Sequence, residues 1–442
     1  MNSIVIGSGI FGGLMLLLVL RVHVGVGMFF AGAVALTVMN NGNLQPLFYT
    51  LNNLIYARLS NYDLAVLPLF ILMGQFATHG GLSKTLFRFA SAFVGHWRGG
   101  LAMAAVGACA GFGAICGSSL ATAATMGQVA LPELRAHGYS GRLATGTLAA
   151  SGTLGILIPP SVPLVIYALL TQESIGKLFV AAVIPGVIAT LGYFIVIALY
   201  VRIDPNAGPA GKSMSFGQRL LALIEAAPVL LVFLVVVVGI YGGWADPTEA
   251  AAFGAAATGA LAVRNGLRWV GFKASVIGTA SSTAMIFLVL LGADVLNTGL
   301  ALTQMPVQLA LWVQNSGLPP LLVLSTIIVI YVLLGCVMDS LAMILLTIPI
   351  FYPMIIGLDF YGMTADAKSI WFGILALMVV EIGLVHPPLG INLFIIQRIA
   401  KDVPYIETAL GVIPFLLSDL VRIILLLSFP SIARWLLHLP VK

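Results

Sequence analysis

The residues best suited to chemistry in this chain are oxygen-bearing groups beside interruptions in apolar runs. Two polar tips, Cys116-Gly117-Ser118-Ser119 and Gly335-Cys336-Val337-Met338-Asp339-Ser340, each sit between two apolar arms. Proline pairs mark two further breaks, Gly155-Ile156-Leu157-Ile158-Pro159-Pro160-Ser161 and Gly383-Leu384-Val385-His386-Pro387-Pro388. A proline pair removes two backbone donors and frees the carbonyls upstream. Carbonyls and hydroxyls together suit a hard cation such as Na⁺, and they supply oxygen without burying a net charge. Facing helix amino ends add a positive dipole for an anionic substrate. One predicted ion site therefore takes Cys116, Gly117, Ser118 and Ser119 with Gly155, Ile158 and Pro159. The other takes Gly335, Met338, Asp339 and Ser340 with Gly383, His386 and Leu389. Thr122, Ser161, Pro163 and Asn392 are expected to face the substrate between them.

Such sites need a membrane around them, and the composition provides one. Of 442 residues, 60% are hydrophobic and only 8% charged, against roughly a quarter charged in a soluble protein. A water-soluble body of this size could not be coated by so few charges. Net charge is +5, but the basic residues cluster at segment ends and form no stripe, which argues against nucleic acid. Cys109, Cys116 and Cys336 lie in apolar runs without metal-like spacing, so neither disulfides nor zinc are indicated. The amino end lacks a basic stretch and reads as a first membrane helix, not a cleaved signal. An all-α integral membrane protein follows, because lipid excludes open sheet edges. Candidate spans of about 20 residues fall at 3–20, 24–40, 63–80, 178–201, 220–243, 247–263, 274–297, 371–385 and 408–429. Arg202 to Arg219 reads as a loop.

Two regions do not fit simple spans. In 99–134 each arm reaches only about 25 Å at 1.5 Å per residue. His96 and Arg98 precede it, while Arg135, His137 and Arg142 follow. Both ends are therefore cytoplasmic by the positive-inside rule, and the segment reads as a re-entrant hairpin. The second, 318–354, lacks a basic flank and points from the opposite side. The halves also align with each other. Ser119-Leu120-Ala121 falls on Ser340-Leu341-Ala342 and Pro132 on Pro353, 221 residues apart. Gly74 falls on Gly292 and Gly81-Leu82 on Gly299-Leu300 at 218, Pro159-Pro160 on Pro387-Pro388 at 228, and Ile184-Pro185 on Ile413-Pro414 at 229. Inverted repeats with interrupted helices at the midplane are the architecture of secondary transporters.

Plainer readings exist for several of these residues. Ser118, Ser119 and Thr122 could serve as interhelical hydrogen-bonding groups. Asp339 is either a functional intramembrane acid or a helix cap. Asp294 and Glu381 read as satisfied structural groups, and His386 reads as structural more readily than as a titrating switch. Gly113-Cys116 and Gly9-Gly13 are close-packing signals. A membrane enzyme would need paired aspartates or a Ser/His pair, for which Asp294, Asp339 and His386 with Ser119 offer no motif; no catalytic residue is assigned. A passive channel is disfavoured by the paired breaks.

Phe112-Gly113-Ala114-Ile115-Cys116-Gly117-Ser118-Ser119-Leu120-Ala121-Thr122-Ala123-Ala124 resembles the signature of the large membrane subunit (M subunit) of TRAP transporters, the tripartite ATP-independent periplasmic family. So do Gly138-Tyr139, Gly152 to Ser161, Leu178-Phe179, Pro185-Gly186, Gly335 with Asp339, Pro349, Pro353 and Pro387 to Asn392, over essentially the whole chain. The resemblance implies an elevator-type importer in the bacterial cytoplasmic (inner) membrane. Scaffold helices would occupy 1–62 and part of 202–273. A first repeat would occupy 63–201, with the hairpin 99–134 and a broken helix 143–171. An inverted second repeat would occupy 274–442, with the hairpin 318–354 and a broken helix 371–397. It further implies import of an organic acid (a carboxylate) driven by a sodium gradient, with no cofactor beyond the coupling ions. A periplasmic substrate-binding protein (P subunit) would deliver substrate, and a separate four-helix Q subunit would dock on the scaffold. An ion-coupled dicarboxylate transporter of similar fold that needs no binding protein is the alternative.

Two residues depart from the family pattern, which has Ser where Cys116 stands and Thr where His386 stands. A thiol is a poor ligand for Na⁺, and imidazole does not reproduce a threonine oxygen. Replacement of His386 by Thr is expected to alter the sodium dependence or the pH profile of uptake. Superimposable profiles for His386→Thr and the native protein would remove any role of His386 in ion coupling.

Overall fold

Long apolar runs must close their main-chain hydrogen bonds within the segment when they enter lipid, so they coil into helices. A computed structural model describes residues 3–438, and among these it contains helices and no strand. The amino-terminal helices are α1 (Ser3–Val19), α2 (Val24–Met39), α3 (Gln45–Leu59), α4 (Val66–His79) and α5 (Leu82–Val94). The first hairpin is α6 (Gly100–Cys116) and α7 (Ser119–Ala136). A broken helix follows as α8 (Gly141–Gly152), α9 (Leu154–Leu157) and α10 (Val162–Thr171), bent by 41°. Next come α11 (Ile175–Ile203), α12 (Phe216–Tyr241), α13 (Pro247–Arg264), α14 (Trp269–Leu302) and α15 (Met305–Asn315). The second hairpin is α16 (Pro320–Gly335) and α17 (Ser340–Gly357), and the second broken helix is α18 (Ala365–Val385) and α19 (Ile391–Ile399). The described chain ends with α20 (Tyr405–Ser428), the short α21 (Ser431–Arg434) and one 3-10 turn. Six helices are long and apolar enough to cross a membrane, or up to eight if each bent pair is one span.

Three helices were not anticipated: α3, α5 and α15. Each is short, and α5 carries Lys84 and Arg88 on one side while Leu82, Leu86 and Phe87 are buried on the other. Such an amphipathic helix fails any test based on continuous apolar length. The segment 202–273 likewise holds α12, α13 and the start of α14 around its loop.

Helices pack in two groups. In one, α2 crosses α14 almost backbone to backbone. A Cβ on Gly32 would lie 2.4 Å from the Leu296 nitrogen, and one on Gly292 2.2 Å from the Gly25 carbonyl. The same group holds α4 and α13. Arg58 at the end of α3 reaches Asp294 on α14 in a two-pronged pair at 2.5 and 2.6 Å, so Asp294 is a satisfied structural acid. In the other group, α8 crosses α20 where a Cβ on Gly146 would lie 2.4 Å from the Gly411 carbonyl. Both hairpins and both broken helices belong to this second group, while α5 packs on α6 and α15 on α17 from outside. The Gly9-Gly13 spacing, expected to mark close packing, does not: neither glycine has any atom within 4 Å of an added Cβ. Only Gly113 of the two such signals lies at a contact.

The repeat is visible in local geometry. Ser118 caps α7 by accepting from the Ala121 N–H, and Asp339 caps α17 by accepting from the Ala342 N–H, both pairs 221 residues apart. Ile158 and His386 share one backbone conformation, φ −83° ψ 120° and φ −75° ψ 122°. The peptides Pro159–Pro160 and Pro387–Pro388 are both cis.

The orientation of the hairpins can be read from α11. At its start Lys177 pairs with Asp366 at 3.1 Å, just beyond the base of the second hairpin. Near its end Ile197 and Val201 pack against Gly99, at the base of the first. The 24 residues between Lys177 and Val201 cover roughly 36 Å. The hairpins therefore enter from opposite ends of this helix.

Gly32→Leu is expected to force α2 off α14 and to destabilise the protein by about 1–3 kcal/mol, read as a lower melting temperature in detergent. Gly9→Leu, which meets open space, should leave the melting temperature unchanged.

Candidate functional site

Where an apolar chain must unwind at membrane depth, its loose ends need close neighbours. Each tip here is held against the break of its own repeat by a pair of glycines. An added Cβ on Gly113 would lie 2.4 Å from the Gly155 Cα, and one on Gly335 2.7 Å from the Gly383 Cα. Gly117 adopts φ +63° beside the Pro160 carbonyl, which would stand 3.0 Å from an added Cβ. That left-handed turn suits glycine.

The first tip and break are enclosed by protein. Cys116, Gly117, Ser119, Gly155, Pro159, Ser161 and Pro163 are buried, and Ile158 is half-buried. Thr122 faces Gly155 so closely that a Cβ there would stand 2.4 Å from its hydroxyl. From the second repeat, fully buried Asn392 donates to the Ser119 hydroxyl at 2.9 Å and to the Ala149 carbonyl at 3.3 Å. Asn392 was expected to sit between the sites; it reaches across to the first. Three buried oxygens in this region have no protein partner: Thr122 Oγ1, Ser161 Oγ and Asn392 Oδ1. Ser161 stands at the N-cap of α10 yet makes no cap bond. Pro163, two residues on, has no N–H to offer it. Buried oxygens are almost always paired, so this cluster is built to receive a donor or a cation. The interhelical reading holds for Ser119, Ser118 instead caps its own helix, and Thr122 is left unpaired.

The second tip and break share the skeleton and differ in chemistry. At the position of Thr122 stands Met343, whose sulfur would lie 3.3 Å from a Cβ on Gly335. Ser161 corresponds to Leu389, which is 48% exposed, and Ile158 to the half-buried His386. Gly335, Met338 and Gly383 are buried, while Asp339 and Ser340 are half-buried at the tip. The hydroxyls that favour a cation in the first repeat are thus largely absent from the second.

Both tips open onto one cavity of about 240 Å³. Cys116 to Ala121 line it from the first hairpin, Asp339 to Leu341 from the second, and Pro163 from α10. The opposite wall is Gly74, Gln75 and Thr78 of α4 with Ser282 and Met285 of α14. These wall residues were not anticipated, although Ser281-Ser282-Thr283 is a polar run inside an apolar helix and could have marked them. Leaving the cavity, Ala121, Ala124, Thr125, Gln128 and Pro132 form an unburied face along α7, whereas residues 342–348 of α17 are all buried. The α7 face ends in a cleft of about 1190 Å³ bordered by Lys84, Arg88, His137 and Lys212 together with Glu133, with Arg88 paired to Glu225 at 3.2 Å.

A pair of oppositely inserted hairpins meeting at one oxygen-lined cavity is the arrangement of a secondary transporter, and comparison with known proteins agrees. The family model described as "Tripartite ATP-independent periplasmic transporter, DctM component" matches residues 11–432. The chain belongs to this family. It is similar to the C4-dicarboxylate TRAP transporter large permease protein DctM of Pseudomonas aeruginosa, 36% identical over 84% of this chain and 86% of that one. The sialic acid TRAP transporter large permease protein SiaM of Vibrio cholerae is 31% identical over 84% of this chain and 86% of its own. The isethionate TRAP transporter permease protein DctMQ of Oleidesulfovibrio alaskensis is 30% identical over 89% of this chain and 60% of its own length. Among solved structures, the Alcanivorax borkumensis YdaH transporter superimposes with a TM-score of 0.67 at 15% identity, covering 95% of this chain and 100% of that one. This TRAP large permease is a multi-pass membrane protein and a transporter subunit, not an enzyme.

Asn392→Ala removes two hydrogen bonds and leaves the Ser119 hydroxyl without its partner. It is expected to destabilise the permease by about 1–3 kcal/mol, seen as a lower melting temperature without any ligand.

Proposed function

We propose that this permease imports an organic anion of the carboxylic acid class, driven by a sodium gradient across the bacterial inner membrane. The observation that carries the reading is the cavity shared by both tips, with the unpartnered oxygens of Thr122, Ser161 and Asn392 behind it. Na⁺ seeks oxygen ligands, and buried hydroxyl and amide oxygens with free carbonyls at Ile158 and Pro159 supply them. The amino ends of α7 and α17 point their dipoles at the same cavity, which suits a carboxylate. The named substrates of the relatives, C4-dicarboxylate, sialic acid and isethionate, are all organic anions at neutral pH. The basic cleft at the end of the open α7 face is the release route, and it draws the anion toward the cytoplasm.

The movement is an elevator. The hairpins, broken helices, α11 and α20 form the moving body, while α2, α4, α13 and α14 stay with the membrane. The inverted repeat makes the alternative state accessible: the cavity would close along α7 and open along α17. A periplasmic binding protein hands over the substrate, and a small four-helix membrane subunit completes the fixed part.

The test is uptake by the reconstituted permease and small subunit in proteoliposomes, with and without a sodium gradient and the binding protein. Uptake that requires both supports the reading. Uptake of free substrate without the binding protein would point instead to a stand-alone dicarboxylate transporter. Thr122→Val is expected to raise the sodium concentration for half-maximal uptake about tenfold; an unchanged midpoint would remove Thr122 from the ion site.

A further inference from the structure

A second basic cavity lies at the elbow where α4 passes into α5. Gly80 ends α4 so close to α13 that an added Cβ would stand 2.5 Å from the Ala262 Cβ, and Gly81 turns the chain at φ +70°. Helix α5 starts there without a side-chain cap, which leaves its first N–H groups and its positive dipole free. The cavity, of about 350 Å³, is bordered by Gly81, Lys84 and Arg88, by Glu225 of α12, and by Arg264 and Asn265 at the end of α13. Asn265 donates to the Gly80 carbonyl at 3.4 Å and ties the rim together.

Three cations meet one carboxylate here. Glu225 pairs with Arg88 at 3.2 Å, whereas neither Lys84 nor Arg264 forms an ion pair among the described residues. Asp246 and Glu249 lie at the opposite end of α13. Two positive charges are thus left over, and both are exposed.

The cavity sits at the cytoplasmic edge of the bilayer. Lys84 and Arg88 also border the cleft that holds His137, at the hairpin base whose basic flanks mark the cytoplasm. Trp269, 74% exposed at the start of α14, stacks on Phe272 at 5.5 Å, and Phe272 stacks on Phe76 at 5.8 Å. Exposed tryptophan belongs at the headgroup level. Beside Glu225 and deeper along α12, Ile224, Leu231 and Val235 form an exposed apolar face. The other repeat lacks the charges: Lys84 and Arg88 fall on Leu302 and Pro306 at the offset of 218, and α15 has no charged residue. The basic elbow therefore exists only on the side whose leaflet surface is negative.

We propose that this elbow binds the headgroup of one anionic phospholipid. Lys84, Arg264 and the free N–H groups of α5 hold the phosphate, and the acyl chains lie along α12. A phosphodiester brings one negative charge and acceptor oxygens only, which matches a pocket of cations and N–H donors. A zwitterionic headgroup would add a further cation to a cavity that is already positive. The bound lipid fastens α5, which packs on the first hairpin, to α13, and so stabilises the folded permease. The site stands independently of the sodium reading above.

Melting of the delipidated permease in neutral detergent, with phosphatidylglycerol or phosphatidylcholine added to the micelles, tests the site. Phosphatidylglycerol is expected to raise the melting temperature of the native protein, and phosphatidylcholine is not. In the double variant Lys84→Gln, Arg264→Gln the melting temperature without lipid should be unchanged. The phosphatidylglycerol concentration for half-maximal stabilisation should rise at least about tenfold. The charge-conserving pair Lys84→Arg, Arg264→Lys should respond as the native protein does, which separates lost charge from lost packing. Equal stabilisation by the two lipids, or an equal phosphatidylglycerol response in the native and Gln proteins, overturns the proposal. The same stabilisation by inorganic phosphate alone would show a free-anion site and overturn the lipid assignment.

Discussion

Main-chain polar groups cannot be left bare inside a bilayer, and this constraint shapes the centre of the molecule. Four segments unwind where an uninterrupted helix would be the safe solution. Each is tolerated because another segment of the same repeat is pressed against it through paired glycines, Gly113 on Gly155 and Gly335 on Gly383. At the first break the freed groups face protein, and both tips face a shared cavity instead of lipid. Caps at Ser118 and Asp339 then restart the helices pointing inward. The tips, the breaks and the cavity are consequences of that one arrangement.

Duplication supplied two copies of this device, and the copies have diverged in chemistry more than in shape. Their caps, their cis proline pairs and their glycine contacts correspond. Their side chains do not, since Thr122, Ser161 and Ile158 face Met343, Leu389 and His386 across the pseudosymmetry. The same divergence appears away from the cavity, where Lys84 and Arg88 in one repeat become Leu302 and Pro306 in the other. An inverted repeat keeps the mechanical equivalence that lets two states be similar in energy. It leaves the side chains free to give each half a separate task.

Much of this was legible in the sequence because the strongest signals were breaks. Gly, Pro and Ser inside apolar runs located both hairpins and both broken helices to within about six residues, and the basic flanks of the first hairpin, missing from the second, pointed to the inversion that α11 displays. Helices α3, α5 and α15 were not legible, since each is short and broken up by polar residues, and α5 buries only one face. The Gly9-Gly13 spacing misled, because a spacing says nothing about what lies opposite. Asn392 was expected to face the substrate, and only the folded chain shows it bonded to the first hairpin. The partners of Asp294 and Glu381 lie far away in sequence, at Arg58 and Arg422, and no local pattern connects them.

The account depends on two hairpins that enter the membrane from opposite faces. Single cysteines introduced at the hairpin bases, His137→Cys and Asp359→Cys, can be tested in intact cells with a thiol reagent that does not cross the membrane. The account predicts labelling at position 359 from outside and at position 137 only once the cytoplasmic face is opened. Labelling of both positions from the same face would contradict it.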